Sequence, residues 1–231
     1  MVRGMTMKHG RGRLIAAFFC LSVCFWIIPG KAAEQWVDTF LARTEIRTLL
    51  QKLNHDLLSH DSATLTLDSW CTDRKLAPGQ KIVAERVPGA DKPVTSAQRK
   101  LLKAGPTEPV RYRHVRLKCG DLVLSEADNW YVPARLTPDM NRQLDNSDIA
   151  FGRVAQPLNF HRQNLSARFL WDPLPPGWKM KSTRLKDIGL LKIPPHVLEH
   201  RAVLILPDGK PISEVIETYT SATLKFTPPA K

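Results

Sequence analysis

Apolar residues recur at three- and four-residue spacing between residues 34 and 60: Trp36, Phe40, Leu41, Ile46, Leu49, Leu50, Leu53, Leu57 and Leu58. That period predicts one or two amphipathic helices. Asp68 is of the residue type that caps a helix, here a short one over residues 69–76. Residues 81–87 (KIVAERV) read as a strand and 88–94 (PGADKPV) as a loop. Residues 96–104 read as a short basic helix stopped by Gly105-Pro106. The period then changes to two. Over residues 110–119, Arg113, Val115, Leu117 and Cys119 share one face, and Tyr112, His114, Arg116 and Lys118 the other. Gly120-Asp121 turns the chain, and residues 122–132 return as a second strand ending at Pro133. Thr137-Pro138 starts a helix that runs to about Leu144, with Thr as cap and Pro in the first helical position. Phe151-Gly152-Arg153 opens another short element, and residues 164–171 are a further strand. Residues 172–195, rich in Pro and Lys, read as a long loop or flap.

The last 35 residues hold the most informative pattern. Residues 197–224 form two strands joined by a tight Asp208-Gly209 turn, because such a turn needs positive φ values that Gly tolerates. The second strand carries Glu217 among Val215, Ile216 and Tyr219. A carboxylate in an apolar strand is costly to bury unless it is paired or working. The order is helices, strand pair, helices, strand pair, without regular βαβ crossovers. It predicts an α+β fold, an antiparallel β-sheet covered by helices on one face.

Composition narrows the class. The 231 residues are 43% hydrophobic and 24% charged, an ordinary globular balance. The basic segment MVRGMTMKHGRGR precedes an apolar run over residues 14–28, and Gly30-Lys31-Ala32 supplies the small residues of a cleavage site. Residues 1–33 therefore read as a signal peptide, and the protein as exported, periplasmic or secreted. An uncleaved membrane anchor is the alternative, although fifteen residues are short for a span of about 20. Removing the leader lowers the net charge from +12 to +7, which favours anionic partners. No Lys/Arg run with interleaved aromatics points to nucleic acid. The remaining chain divides into a helical segment, 34–60, and a main domain, 61–231, and reads as a monomer.

Cys20 and Cys24 lie in the leader; Cys71 and Cys119 do not. Under the oxidising conditions of export these two form either one disulfide or a pair of buried thiols. No Cys-x-x-Cys or His-x-x-x-His spacing marks a metal site.

Four segments together resemble the chorismate pyruvate-lyase family. Residues 67–87 (LDSWCTDRKLAPGQKIVAERV) are similar to its early helix–turn–strand. Residues 111–133 (RYRHVRLKCGDLVLSEADNWYVP) resemble its central hairpin, and residues 148–154 (DIAFGRV) its Thr-Pro-Leu-Gly-Arg turn. Residues 201–224 resemble its closing hairpin. The resemblance implies a ligand enclosed between a sheet and flaps, and elimination of pyruvate from chorismate to leave 4-hydroxybenzoate, with no metal or organic cofactor. It places a carboxylate-binding arginine at Arg113, because a guanidinium can bind a carboxylate through two bonds; counting back from Pro133 without a gap gives His114, and Arg116 is a third candidate. It places the active-site glutamate at Glu217, with Glu214, three residues earlier, as a solvated residue of the other face. Arg201 is a possible structural partner of Glu217. Phe151 would give a backbone N–H to the ligand, and Gly152 would allow close approach. Asn129 stands where the family has a second arginine, and so departs from it. The expected partner is a small anionic aromatic or enol-ether molecule. A leader and an intracellular substrate conflict, so three functions stay open: a lyase, an exported binding protein without turnover, and an exported enzyme for another anionic substrate.

Overall fold

The computed structural model describes residues 36–89, 91–174 and 189–226, with Met1, Val2, Gly4 and Gly177. The expected leader, including Cys20 and Cys24, otherwise lies outside the described residues, as do residues 175–176 and 178–188 of the expected flap. The chain divides into the units Met1–Ala32 and Ala33–Lys231, and every described element lies in the second. No described helix is long and apolar enough to cross a membrane.

Six strands form one antiparallel sheet. β1 (Val83–Arg86), β2 (Arg111–Cys119), β3 (Leu122–Tyr131), β4 (His161–Phe169), β5 (His196–Ile205) and β6 (Pro211–Thr220) lie in the order β1-β2-β3-β6-β5-β4. Each hairpin expected from the period-two runs is present, and β3 pairs with β6 to join the two. The closing turn spans more residues than expected. Gly209 N–H donates to the Leu206 carbonyl and Leu206 N–H to that of Lys210, so Pro207, Asp208 and Gly209 form a three-residue loop. Only Gly209, at φ +82°, needs the left-handed region. Pro207 supplies the fixed φ that suits the first corner of such a turn.

Helices α1 (Phe40–Ser59) and α2 (Ala63–Asp73) cover one face of the sheet. Ile46, Leu50, Leu53, Leu57 and Leu67 are fully buried there against Leu117, Leu198 and Tyr219. Residues 34–60 thus hold one helix; Phe40, Leu41 and Leu58 are exposed, outside the core stripe. The cap of α2 is Ser62, whose hydroxyl accepts from Leu65 N–H, and Asp68 lies mid-helix. Asp68 is buried because its carboxylate takes long-range donors: Ile82 N–H at 2.7 Å and the Arg153 guanidinium. α3 (Ser96–Leu101) corrects the expectation that helices cover one face only. It begins in a capping box of Thr95 and Gln98. The residue after it, Leu102, packs with Trp130 and Val132 beside Tyr112 and Ile216, on the face opposite Arg113 and Val115. α4 (Pro138–Asn146) starts at the expected Thr137 cap, and α5 is the single turn Phe151–Val154. The structure joins Cys71 of α2 to Cys119 at the end of β2, with Cα atoms 6.2 Å apart.

Candidate functional site

Strand alternation decides which polar groups face the helices. Arg113 on β2 is opposite Asn129 on β3, which is opposite Val215 on β6. Glu217 is opposite Ala127, two residues along. Arg113 and Glu217 therefore share the helix-covered face, offset by two strands, about 9.5 Å, and by two residues, about 7 Å. Both border one small cavity of about 40 Å³. Asn129, Phe151 and Gly152 border it too, so the structure brings all five residues expected at the ligand to one place. Val115, Leu117, Ala127, Leu204 and Val215 make its apolar wall. Asp61, Ser62 and Phe160 also border an outer groove of about 650 Å³, which runs along α2.

Arg113 is 4% exposed, and its guanidinium is under-satisfied. Nη2 donates weakly to the carbonyls of Ile149, at 3.3 Å, and Ser147, at 3.5 Å. Nε and Nη1 are buried without a partner among the described residues. Burial, aided by the charge of Arg86, lowers the pKa of Arg113 from its ordinary value. A buried guanidinium with open donors is a ready receptor for a carboxylate. The other two candidates lie on the opposite face. His114 Nδ1 donates to Asp128 at 2.8 Å, in a cluster with Tyr112 and Lys92, and Arg116 is an exposed partner of Glu85 and Glu126.

Glu217 is ion-paired, and its partner is Arg162. Arg162 Nη2 donates to Glu217 Oε2 at 2.6 Å, and both side chains are almost wholly buried. The Tyr219 hydroxyl donates to the same oxygen at 3.0 Å. Burial pulls the Arg162 pKa down, but the Glu217 charge, the Tyr219 phenol and the hydrogen bond to Glu217 together outweigh it, leaving it raised. Burial and then the charge of Glu217 push the Tyr219 phenol well up. His200 lies opposite Glu217 on β5 and bonds Asn54 Oδ1 through Nε2 at 2.8 Å. Arg201 is instead the partner of Glu214, through Nε at 2.7 Å. Glu214 does lie on the face away from Glu217, but it is fully buried, not solvated, with Trp130 opposite it.

The other expected residues have defined partners. Asn129 Oδ1 accepts the Ser213 hydroxyl. Phe151 opens α5, so its backbone N–H has no intrahelical acceptor, and its ring packs on Tyr131 with centroids 5.5 Å apart. Gly152 is where α5 meets the start of α2: a Cβ there would lie 2.6 Å from Ser62 Oγ and 3.0 Å from Thr64 Oγ1. Sequence reasoning missed Arg162, because β4 begins three residues before the strand expected at 164. It missed Ser62 and Thr64 with the misplaced cap of α2. A Ser-x-Thr preceding an apolar stripe was the available signal for the second.

No family model matches the sequence. The uncharacterized protein y4mC of Sinorhizobium fredii is 57% identical over 198 residues, covering 85% of this chain and 84% of that protein. Among solved structures, PhnF from Mycobacterium smegmatis aligns with a TM-score of 0.46 at 11% identity, over 84% of this chain and 91% of that one. The effector domain of PhnF gives 0.45 at 10% identity, over 70% and 89%. The possible transcriptional regulator YydK from Bacillus subtilis gives 0.41 at 13% identity, over 66% and 63%. The identity and the nearly full-length match to y4mC settle kinship: this chain belongs to the y4mC family.

Proposed function

We propose that the cavity binds a small anionic aromatic or enol-ether molecule in the manner of a chorismate-lyase-like protein. One observation carries this reading: Arg113 is buried, two of its guanidinium nitrogens have no partner among the described residues, and it borders the cavity with Glu217. An uncompensated buried cation is strongly unfavourable, so a ligand carboxylate is its natural complement. The first N–H groups of α2 and that of Phe151, without an intrahelical acceptor, add partial positive charge on the same side. The present volume holds little more than a water or two, so binding widens it. The loop at Asp61 and the segment ending at Phe160 separate it from the outer groove and are the walls that part.

Elimination of pyruvate from chorismate is the second reading, favoured by the carboxylate of Glu217 in the same cavity as Arg113. In it Arg113 would hold the ring carboxylate and Glu217 would hold the ring hydroxyl and assist proton movement. Residues 1–33 would direct export, and amino-terminal sequencing of the mature protein tests that. The test of function is to mix the protein with chorismate and follow release of 4-hydroxybenzoate and pyruvate, with Glu217→Gln as control, beside calorimetric titration of 4-hydroxybenzoate. Turnover lost in the variant supports the lyase. Binding without turnover supports a receptor. Neither would sink both readings.

A further inference from the structure

β4 is an edge strand, yet its first inward side chains are not the apolar residues that a helix-covered face calls for, in contrast to Ala167 and Phe169 beyond its bulge. Two of them, Arg162 and Asn164, are polar and engage one another: Arg162 Nε donates to Asn164 Oδ1 at 3.0 Å. Nη2 of the same guanidinium holds Glu217 Oε2. With Tyr219 on that oxygen as well, Oε2 has two donors, whereas Glu217 Oε1 has none among the described residues. A buried ion pair can commonly be replaced by apolar residues of similar volume without loss of stability. Stability therefore does not explain the presence of the pair, and geometry does.

We infer that Arg162 is a positioning residue that fixes the Glu217 carboxylate with one oxygen open to the cavity, and so sets the class of ligand the site takes. That oxygen can accept from a donor and repels a second anion. The complementary ligand has one carboxylate for Arg113, an apolar body for the wall of Val115, Ala127, Leu204 and Val215, and a neutral hydroxyl or amine at its far end for Glu217. This rests on the reading of the cavity as a ligand site, and the test separates the two.

The probes are 4-hydroxybenzoate and benzoate, titrated calorimetrically into the full chain. They differ by the hydroxyl alone. The wild-type protein is expected to prefer 4-hydroxybenzoate by about tenfold or more, the range for a hydrogen bond to a charged group. In Arg162→Met the preference falls to about one, through loss of 4-hydroxybenzoate affinity rather than gain for benzoate. Arg162→Lys restores part of it, and Asn164→Ala, which frees the guanidinium, weakens it. The last two variants report the same ratio if Arg162→Met does not fold. Preference kept in Arg162→Met or Asn164→Ala would overturn the role of Arg162 while leaving the ligand site standing. Equal loss of both probes in the Met and Lys variants would make Arg162 merely structural. Failure of the wild-type protein to bind either probe would remove the ligand reading and this inference with it.

Discussion

His200 has no exposed surface, and burial pushes its pKa down from 6.5 to about 4. Its imidazole is therefore neutral in the fold over a range where the unfolded chain is protonated. A depressed folded pKa gives stability that is fully present above pH 6.5 and is lost as pH falls to about 4. The shift corresponds to about 3 kcal/mol. Urea unfolding at pH 7.5 and at pH 4 should show a drop of that order, and His200→Gln should flatten it. An equal drop in the variant would assign the acid sensitivity elsewhere. Arg113 makes an opposite prediction. Arg113→Met fills similar space and removes an under-satisfied buried charge, so the variant should be more stable by about 1–3 kcal/mol and unable to bind anionic probes. A lowered melting temperature with probe binding retained would show that Arg113 serves the fold.

α5 meets the start of α2 at Gly152, with no room for a Cβ. Gly152→Ala forces a Cβ against two hydroxyls and should cost about 1–3 kcal/mol by overpacking. Ser62→Ala alone loses a helix cap, about 1 kcal/mol, but in the double variant it removes the nearer hydroxyl and should recover part of the glycine penalty. Chemical denaturation of the four proteins gives the coupling; strict additivity would contradict the contact. Elements with a clean period were legible in the sequence. β2, β3, β5 and α4 stand within a residue or two of the expected spans, because alternation or a Thr-Pro start is a local signal, whereas β6 ends at Thr220 and residues 221–224 form a 3-10 turn instead of the end of the strand. β4 was half legible: HRQNLSARF has no apolar alternation, since the start of its inner face holds the Arg162 clamp and its outer residues are exposed. Asp68 and Glu214 misled for a shared reason. Their burial depends on Arg153, Ile82 and Arg201, partners that no linear spacing reveals. Alternation placed Arg113 with Val115 and Leu117, and the family resemblance singled out Glu217, but neither could show that the two share a face or that Asn129, Phe151 and Gly152 converge there.

Across the whole molecule, the Cys71–Cys119 bridge ties the helical layer to the sheet and closes a loop of 48 residues. Loop-closure entropy for that span is worth about 4 kcal/mol. Paired Cys71→Ala and Cys119→Ala substitutions should lower unfolding stability by that order, and unfolding in a reductant should match them; an unchanged midpoint would mean the bridge adds little. The sheet distributes its duties unevenly. The bridge and most of the core belong to α1, α2 and the central strands, while the clamp on Glu217 hangs from β4, which has a neighbour on one side only. Removing Arg162 outright would leave the Glu217 carboxylate buried and unpaired, so a change at position 162 is tolerated where it keeps a cation. Changes at position 164, or at 162 with the cation kept, can thus retune what the cavity accepts and leave the scaffold intact, so descendants of this gene can change ligand by editing the rim of the sheet instead of rebuilding its middle.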